Sequence, residues 1–317
     1  MKSRLVVFTA LLVALTAVGF AVARVVDYVP SKPAPVVASL PRQPASYLGV
    51  FESGAPPDYE PVAQFAQATG KTPNLVGYYS GWAEPFASGF ARRAQAHGVI
   101  PYVQIDPTYA SVKGIADGDY DHYLSTYAAS VRDYRHPVVI GFGHEMNAPW
   151  YAWGYHHVSP ATFIAAWRHL HKLFGHFGAL NVTWLWTVNS DQPGTGPVQN
   201  WWPGSRYVDW VGIDGYYYRH SDTFVSVFGK TINEVRAFTR RPVLLSETAV
   251  GPTAGQFDKI SNLFAGMHSY KTLGLVWFDK NQAEHGSISQ QDWRIEDNAP
   301  ALTAFKLGLS GLVLHKP

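Results

Sequence analysis

The 317-residue sequence contains no cysteine and has almost no net charge. The lack of cysteine excludes disulfides, thiolate metal sites, a cysteine nucleophile and a lipid-anchor cysteine. Its 25 Lys and Arg side chains against 23 Asp and Glu give a formal charge of +2. Proteins that bind nucleic acid are usually far more basic, so the charge balance argues against a nucleic acid partner.

The sequence also lacks the short motifs of several large enzyme classes. It contains no G-x-G-x-x-G, no G-x-x-x-x-G-K-[ST] and no G-x-S-x-G, which argues against a dinucleotide fold, a P-loop and a serine-hydrolase elbow. His144 and Glu145 match half of the zinc motif H-E-x-x-H, but Ala148 stands where the second histidine would be. No metal and no cofactor is implied by these residues.

The N-terminus has the pattern of an export segment. Lys2 and Arg4 precede an uncharged run from Leu5 to Ala23, which ends in the small-x-small pattern Ala21-Val22-Ala23. Residues 1–23 are expected to be either a cleaved signal peptide or an uncleaved anchor that tethers the protein to the membrane through residues 5–23. We therefore expect the protein to be secreted, or held at the outer face of the cell membrane.

Residues 24–45 are rich in proline and alanine and predict an extended linker, so the folded domain is expected over residues 46–317. Within it, eight short runs rich in Val, Ile, Tyr and Trp alternate with segments of helical periodicity. The predicted strands are Tyr47–Phe51, Asn74–Ser80, Ile100–Ile105, Val138–His144, Val182–Val188, Val208–Tyr216, Val243–Ser246 and Leu273–Phe278. This alternation predicts an α/β fold with parallel strands, a single (β/α)8 TIM barrel.

Chemistry in such a barrel lies at the C-terminal ends of the strands. Those ends carry polar and aromatic side chains: Glu52, Tyr79, Trp82, Gln104, Asp106, His144, Glu145, Asn147, Asn189, Asp191, Asp214, Tyr216, Glu247, Trp277 and Asp279. Two carboxylates, Glu145 and Glu247, end strands four and seven and can face each other across the barrel mouth. Aromatic rings beside acids and amides suit a sugar, and paired carboxylates suit glycoside hydrolysis.

The residues around both carboxylates resemble glycoside hydrolase family 26. The segment Gly143–Gly154, GHEMNAPWYAWG, looks like the acid/base motif of that family, and Leu244–Ala249, LLSETA, resembles the nucleophile strand of its clan. Where the familiar motif often has glycine after the asparagine, this chain has Ala148 and Pro149.

The resemblance implies a mannanase-like retaining glycosidase with Glu145 as general acid/base and Glu247 as nucleophile. By the same matching, His144 and Trp150 should line the cleavage subsite, Tyr216 should hydrogen bond the nucleophile and Trp277 should be a sugar-stacking platform. The substrate-binding residues expected in total are His144, Asn147, Trp150, Trp153, Asp214, Tyr216 and Trp277.

The chemistry makes two further predictions. Burial among aromatic rings should raise the pKa of Glu145 and keep it protonated as a general acid. Retention of configuration requires carboxyl groups about 5 to 5.5 Å apart. The expected function is a secreted endo-β-glycosidase acting on a polysaccharide, foremost β-1,4-mannan, with β-1,3-1,4-glucanase, β-xylanase and a non-catalytic carbohydrate-binding barrel as alternatives.

Other aromatic and acidic residues allow two interpretations each. Trp184 and Trp186 point to the same face of strand five and could pack in the core or contact sugar. Trp201 and Trp202 lie in a Gly- and Pro-rich loop and could form a subsite. Period two sends Tyr216 and Tyr218 to one face of their strand, while Asp279 and Lys280 could pair on the rim.

Overall fold

The barrel closes as eight parallel strands in chain order, β1-β2-β3-β4-β5-β6-β7-β8. The structure, a computed structural model, describes residues 40–283 and 291–316. The strands are β1 Tyr47–Glu52, β2 Leu75–Gly81, β3 Ile100–Asp106, β4 Val138–Phe142, β5 Val182–Asn189, β6 Trp210–Tyr217, β7 Val243–Val250 and β8 Gly274–Asp279. The helices are α1 Glu60–Thr69, α2 Ser88–Ala96, α3 Val112–Asp117, α4 Asp121–Tyr134, α5 Pro160–His176, α6 Lys230–Phe238, α7 Gln256–Ser269 and α8 Ala299–Leu309.

The predicted (β/α)8 barrel and its eight strands are confirmed, with strand ends shifted by a few residues. The short helix α3 was not predicted, because its six residues are too few to establish a helical period. Its start is nevertheless encoded, since the Ser111 hydroxyl accepts the Gly114 N–H as an N-cap. Ser159 caps α5 in the same way, with Pro160 in the first turn.

Inside the barrel, a layer of polar side chains lies below the mouth. Gln104 Nε2 donates to Thr187 Oγ1 at 3.0 Å, and Ser246 Oγ donates to an Asp214 carboxylate oxygen at 2.6 Å. All four side chains are buried. Outside, apolar strand residues pack beneath the helices, as when Trp184 meets Trp167 and Phe174 of α5.

Residues 40–45, assigned to the linker from sequence, pack on the barrel. Leu40 is buried, the Tyr47 hydroxyl donates to the Pro41 carbonyl at 2.9 Å, and the Ala45 N–H donates to the Thr272 carbonyl. The packed domain therefore includes these six residues. The export segment expected over residues 1–23 lies outside the described residues. In the part of the chain that is described, none of the helices has the length and apolar character needed to cross a membrane.

Candidate active site

A sharp turn after β4 presents Glu145 at the barrel mouth. Gly143 and Glu145 both adopt a positive φ, of 52° and 54°. At Gly143 a side chain would also be crowded, since a Cβ would lie 3.0 Å from the ring of Phe163 and 3.1 Å from that of Trp153. Glu145 carries a side chain and lacks the conformational freedom of glycine, so a positive φ is strained for it. Its N–H donates to the Thr187 carbonyl at 3.0 Å, which helps to hold the turn against β5.

Each oxygen of the buried Glu145 carboxyl accepts one hydrogen bond. Asn189 Nδ2, at the end of β5, donates to Oε1 at 2.7 Å. Trp150 Nε1 donates to Oε2 at 2.7 Å, while 46% of Trp150 remains exposed. Asn189 therefore holds the inner side of the carboxyl, and Trp150 lies on its open side, where a substrate would arrive.

The environment of Glu145 favours its protonated form. Burial is the largest influence and raises the pKa of Glu145, and the charge of Glu247 raises it further. The positive charge of His144 and the two N–H donors act in the opposite direction but do not cancel the increase. The expected upward shift of the Glu145 pKa is thus present, and its cause is the burial that the sequence suggested.

Glu247, on β7, is held by two tyrosine hydroxyls. Tyr216, expected to contact this carboxylate, donates to Oε1, and Tyr79, at the end of β2, donates to Oε2. Burial, together with the charge of Glu247, raises the pKa of both tyrosines well above its ordinary value, so both remain O–H donors. Both oxygens of the Glu247 carboxyl therefore accept a hydrogen bond from a tyrosine. The two carboxyl groups therefore differ, because burial raises the pKa of Glu145 whereas Glu247 accepts two tyrosine O–H donors.

His144 lies enclosed behind the carboxylates, with 4% of its surface exposed. Its Nδ1 bonds Asp106 at 2.9 Å and its Nε2 bonds the Tyr151 hydroxyl at 3.1 Å. Burial lowers the pKa of His144, but the carboxylates of Asp106, Glu145 and Asp214 together outweigh it and raise the pKa to about 10. Both ring nitrogens have protein partners, so His144 influences the site through its charge and through Tyr151.

Three residues expected to bind substrate are buried supports instead. Asn147 is fully buried because its amide is paired with the main chain of Asn189, at 2.8 and 2.9 Å. Trp153 is 3% exposed, since its ring stacks on Tyr151 and its Nε1 donates to the His144 carbonyl at 2.8 Å. Asp214 is 1% exposed, since it points into the polar interior of the barrel, where Ser246 donates to it.

The expectation that Trp277 forms the sugar platform is wrong. Trp277 lies on the outer face of β8, fully buried against Phe305 of α8, with Nε1 donating to Asp279 and to the Trp293 carbonyl. Strand alternation sends its neighbour Phe278 inward, where its ring lies 5.8 Å from that of Tyr216.

The remaining open interpretations resolve as packing in most cases. Trp201 is buried against Phe163, and the ring of the half-buried Trp202 lies 5.1 Å from that of Trp186. Tyr216 and Tyr218 stack on one face of β6, at 5.6 Å, as period two predicted. Asp279 does not pair with Lys280, because its oxygen accepts from the Ile295 N–H at 2.8 Å.

Sequence reasoning placed Tyr79 and Asn189 at strand ends but gave them no role. Both were detectable only as polar residues at the correct end of a strand. Across residues 40–283 and 291–316, no group of three or more His, Asp or Glu side chains is arranged to hold a metal ion.

Comparison with known proteins finds a matching family and several sequence relatives. Residues 119–296 match the family model of glycosyl hydrolase family 26. Endoglucanase H of Acetivibrio thermocellus is 27% identical over 270 residues, which cover 80% of this chain and 29% of that protein. The mannan endo-1,4-beta-mannosidase A and B of Caldalkalibacillus mannanilyticus is 32% identical over 151 residues, covering 43% of this chain and 27% of that protein. This chain therefore matches less than a third of the length of either relative.

The fold has close counterparts among solved structures. A Bacillus subtilis mannanase superposes with a TM-score of 0.66 at 18% identity, covering 87% of this chain and 88% of that chain. At this identity the likeness supports the barrel fold.

Proposed function

Since the chain belongs to glycosyl hydrolase family 26, we propose that it is a retaining endo-β-glycosidase whose substrate is a β-1,4-mannan. The observation that carries the proposal is the pair of contrasting carboxyl groups. Glu145 has a raised pKa, whereas Glu247 accepts from two tyrosine hydroxyls. A retaining glycosidase needs this difference, because one carboxyl must donate a proton while the other attacks the sugar.

The reaction proceeds in two displacements. Glu247 attacks the anomeric carbon as Glu145 gives its proton to the departing glycosidic oxygen, and a glycosyl ester forms on Glu247. Glu145 then removes a proton from a water molecule as the water oxygen attacks the anomeric carbon. This attack breaks the ester bond to Glu247, and the product has the original configuration. The N–H groups of Asn189 and Trp150 hold the Glu145 carboxyl in place before substrate binds, which lowers the cost of reaching the reactive geometry.

The choice of mannan rests on the mannan endo-1,4-beta-mannosidase relative and on the predicted acid/base motif. A mixed-linkage β-glucan is the second candidate, because the match to endoglucanase H covers more of this chain than the match to the mannosidase. Trp150, half exposed beside the acid, offers a ring face to either backbone.

Reducing-end release tests the proposal. The full chain is incubated with galactomannan, glucomannan, mixed-linkage β-glucan and β-xylan, beside the variants Glu145→Gln and Glu247→Gln. We expect release from mannan by the wild type and a loss of about a thousandfold or more in each variant. Release from β-glucan alone would replace mannan by the second candidate.

Stereochemistry tests the mechanism separately. Proton NMR of the first product is expected to show the β-anomer before mutarotation, and appearance of the α-anomer would refute retention. If the wild type releases no reducing ends from any polymer but binds sugars on a glycan array, the result would instead support a carbohydrate-binding barrel without catalysis.

Export is part of the proposal. The basic residues and the uncharged run within residues 1–23 support secretion, or attachment to the outer face of the membrane. In either place the enzyme would have access to extracellular polysaccharides. Sequencing the N-terminus of the mature protein distinguishes the two, because cleavage near Ala23 leaves no anchor.

A further inference from the structure

Lys280 directly follows β8 and turns back into the barrel mouth. Its Nζ lies 5.8 Å from the ring centroid of Phe51 and 5.3 Å from those of Tyr79 and Phe278. Three aromatic faces around one ammonium hold it by cation–π attraction. The position of this charge is therefore fixed by the barrel and not left to a flexible surface side chain.

Among the described residues, no carboxylate or carbonyl lies within hydrogen-bonding distance of the Lys280 Nζ; Glu247 and Glu52 act on it only as more distant charges. Burial lowers the pKa of Lys280, which reports the cost of partly removing a cation from water. A half-buried cation with free N–H donors is an arrangement that a bound ligand oxygen can complete.

Lys280 lines a groove of about 370 Å³, and Tyr79, which donates to the nucleophile, lines it as well. Glu52, Ser53, Pro56 and Tyr79 share this groove with it. Tyr79 joins the two places, because its hydroxyl donates to Glu247 while its ring lies under the Lys280 ammonium. One tyrosine side chain therefore borders both the groove and the catalytic carboxylate.

The position of the general acid indicates which part of the substrate chain would occupy the groove. Glu145 and Trp150 belong to the loop after β4, while the groove lies between β1, β2 and the end of β8. A general acid faces the leaving group, so the leaving sugar lies toward the β4 side. The groove on the other side then receives the part of the chain that precedes the cleaved bond.

We propose that Lys280 is a substrate-binding residue whose ammonium donates hydrogen bonds to hydroxyl oxygens of the neutral backbone sugar that precedes the one attacked. This inference rests on the function proposed above and adds the contact that selects the sugar. Ser53 and the carboxyl of Glu52 lie in the same groove, and a hydroxyl can accept from Lys280 while donating to either of them.

Substrate length provides the test. Lys280→Met keeps the length of the stem without the charge, Lys280→Arg keeps the charge, and Lys306→Met is the matched control on the exposed side of α8. Rates are measured on a β-1,4-mannohexaose, or on the hexaose of whichever polymer the wild type cleaves, and on the 2,4-dinitrophenyl glycoside of its single sugar. The short substrate does not reach the groove.

For Lys280→Met we expect kcat/KM on the hexaose to fall about ten- to a hundredfold and the rate on the short glycoside to stay within about twofold. Lys280→Arg should recover part of the loss, and Lys306→Met should match the wild type. Equal losses on both substrates would overturn the subsite, because Lys280 would then act through the charge of Glu247. No loss on either would overturn it as well.

Calorimetric binding of the hexaose to Glu145→Gln separates the two proposals. Weaker binding in the double variant Glu145→Gln, Lys280→Met supports the subsite even if the wild type cleaves nothing, in which case only the catalytic proposal fails. Binding that does not depend on Lys280, or no binding of any β-linked oligosaccharide, would overturn the role of Lys280.

Discussion

Asn189 donates its side-chain N–H to Glu145 Oε1 at 2.7 Å, and its own position is fixed by Asn147 and Gln192. The Asn147 amide pairs with the N–H and the carbonyl of Asn189, and Gln192 Nε2 donates to Asn189 Oδ1 at 2.7 Å. The latter bond sets which end of the Asn189 amide faces the carboxyl. Asn189 is thus a positioning residue for the general acid.

Replacing Asn189 with alanine should both slow the reaction and change its pH dependence. The lost N–H donor lowers the pKa of Glu145 in the wild type, so the variant should have a higher pKa there. We expect kcat/KM to fall about ten- to a hundredfold and the alkaline limb of its pH profile to move to higher pH. Asn233→Ala, on the exposed side of α6, is the control. A lower melting temperature with an unmoved limb would indicate a merely structural role.

The alkaline limb itself should belong to Glu145. A general acid works only while protonated, so kcat/KM should decline as the pH rises through the raised pKa of Glu145. With a dinitrophenyl leaving group, which needs no protonation, Glu145→Gln should show no such limb in the glycosylation step. Stopped-flow release of dinitrophenol between pH 4 and 9 measures this. A limb that persists in the variant would assign it to another group.

Asp214 should destabilise the folded protein as the pH rises. Burial, followed by the charges of Glu247 and Glu145, raises the pKa of Asp214 well above its ordinary value, so the folded state binds a proton that the unfolded chain releases above about pH 4. Asp214→Asn should therefore gain stability relative to the wild type, and more at pH 8 than at pH 5. Urea unfolding at both values tests this, with the exposed Asp258→Asn as control. A difference that does not vary with pH would contradict it.

His144 should also contribute stability that declines as the pH rises, but over a different pH range. Its pKa of about 10 in the folded state exceeds the ordinary 6.5, so its contribution is complete below pH 6.5 and is lost as the pH rises through 10. Between pH 6 and 10 the wild type should lose a few kcal/mol more than His144→Gln. Thermal unfolding across this range measures the difference, with the exposed His268→Gln as control. Parallel losses in wild type and His144→Gln would rule out the His144–Asp106 pair as the source.

The sequence by itself determined the barrel and the two carboxylates. Alternating strand and helix periods fix the order of parallel pairing, and residues at strand ends must then meet at one rim. Glu145 and Glu247 were found in this way, and so was the shared face of Tyr216 and Tyr218, since the period of two is a property of any strand.

Only the tertiary structure decided which rim residues face the cleft. Trp277 and Lys280 show what the sequence leaves undecided, because the alternation of side chains does not say which face of β8 points into the barrel. That depends on the closure of the barrel and on the packing of Phe305 against Trp277. The sequence likewise predicts that Asn147 contacts sugar. In the structure its amide is instead paired with the main chain of Asn189, 42 positions later. Local sequence sets element type and period, but the contacts of a side chain depend on residues distant in the chain, and these meet only when the barrel closes.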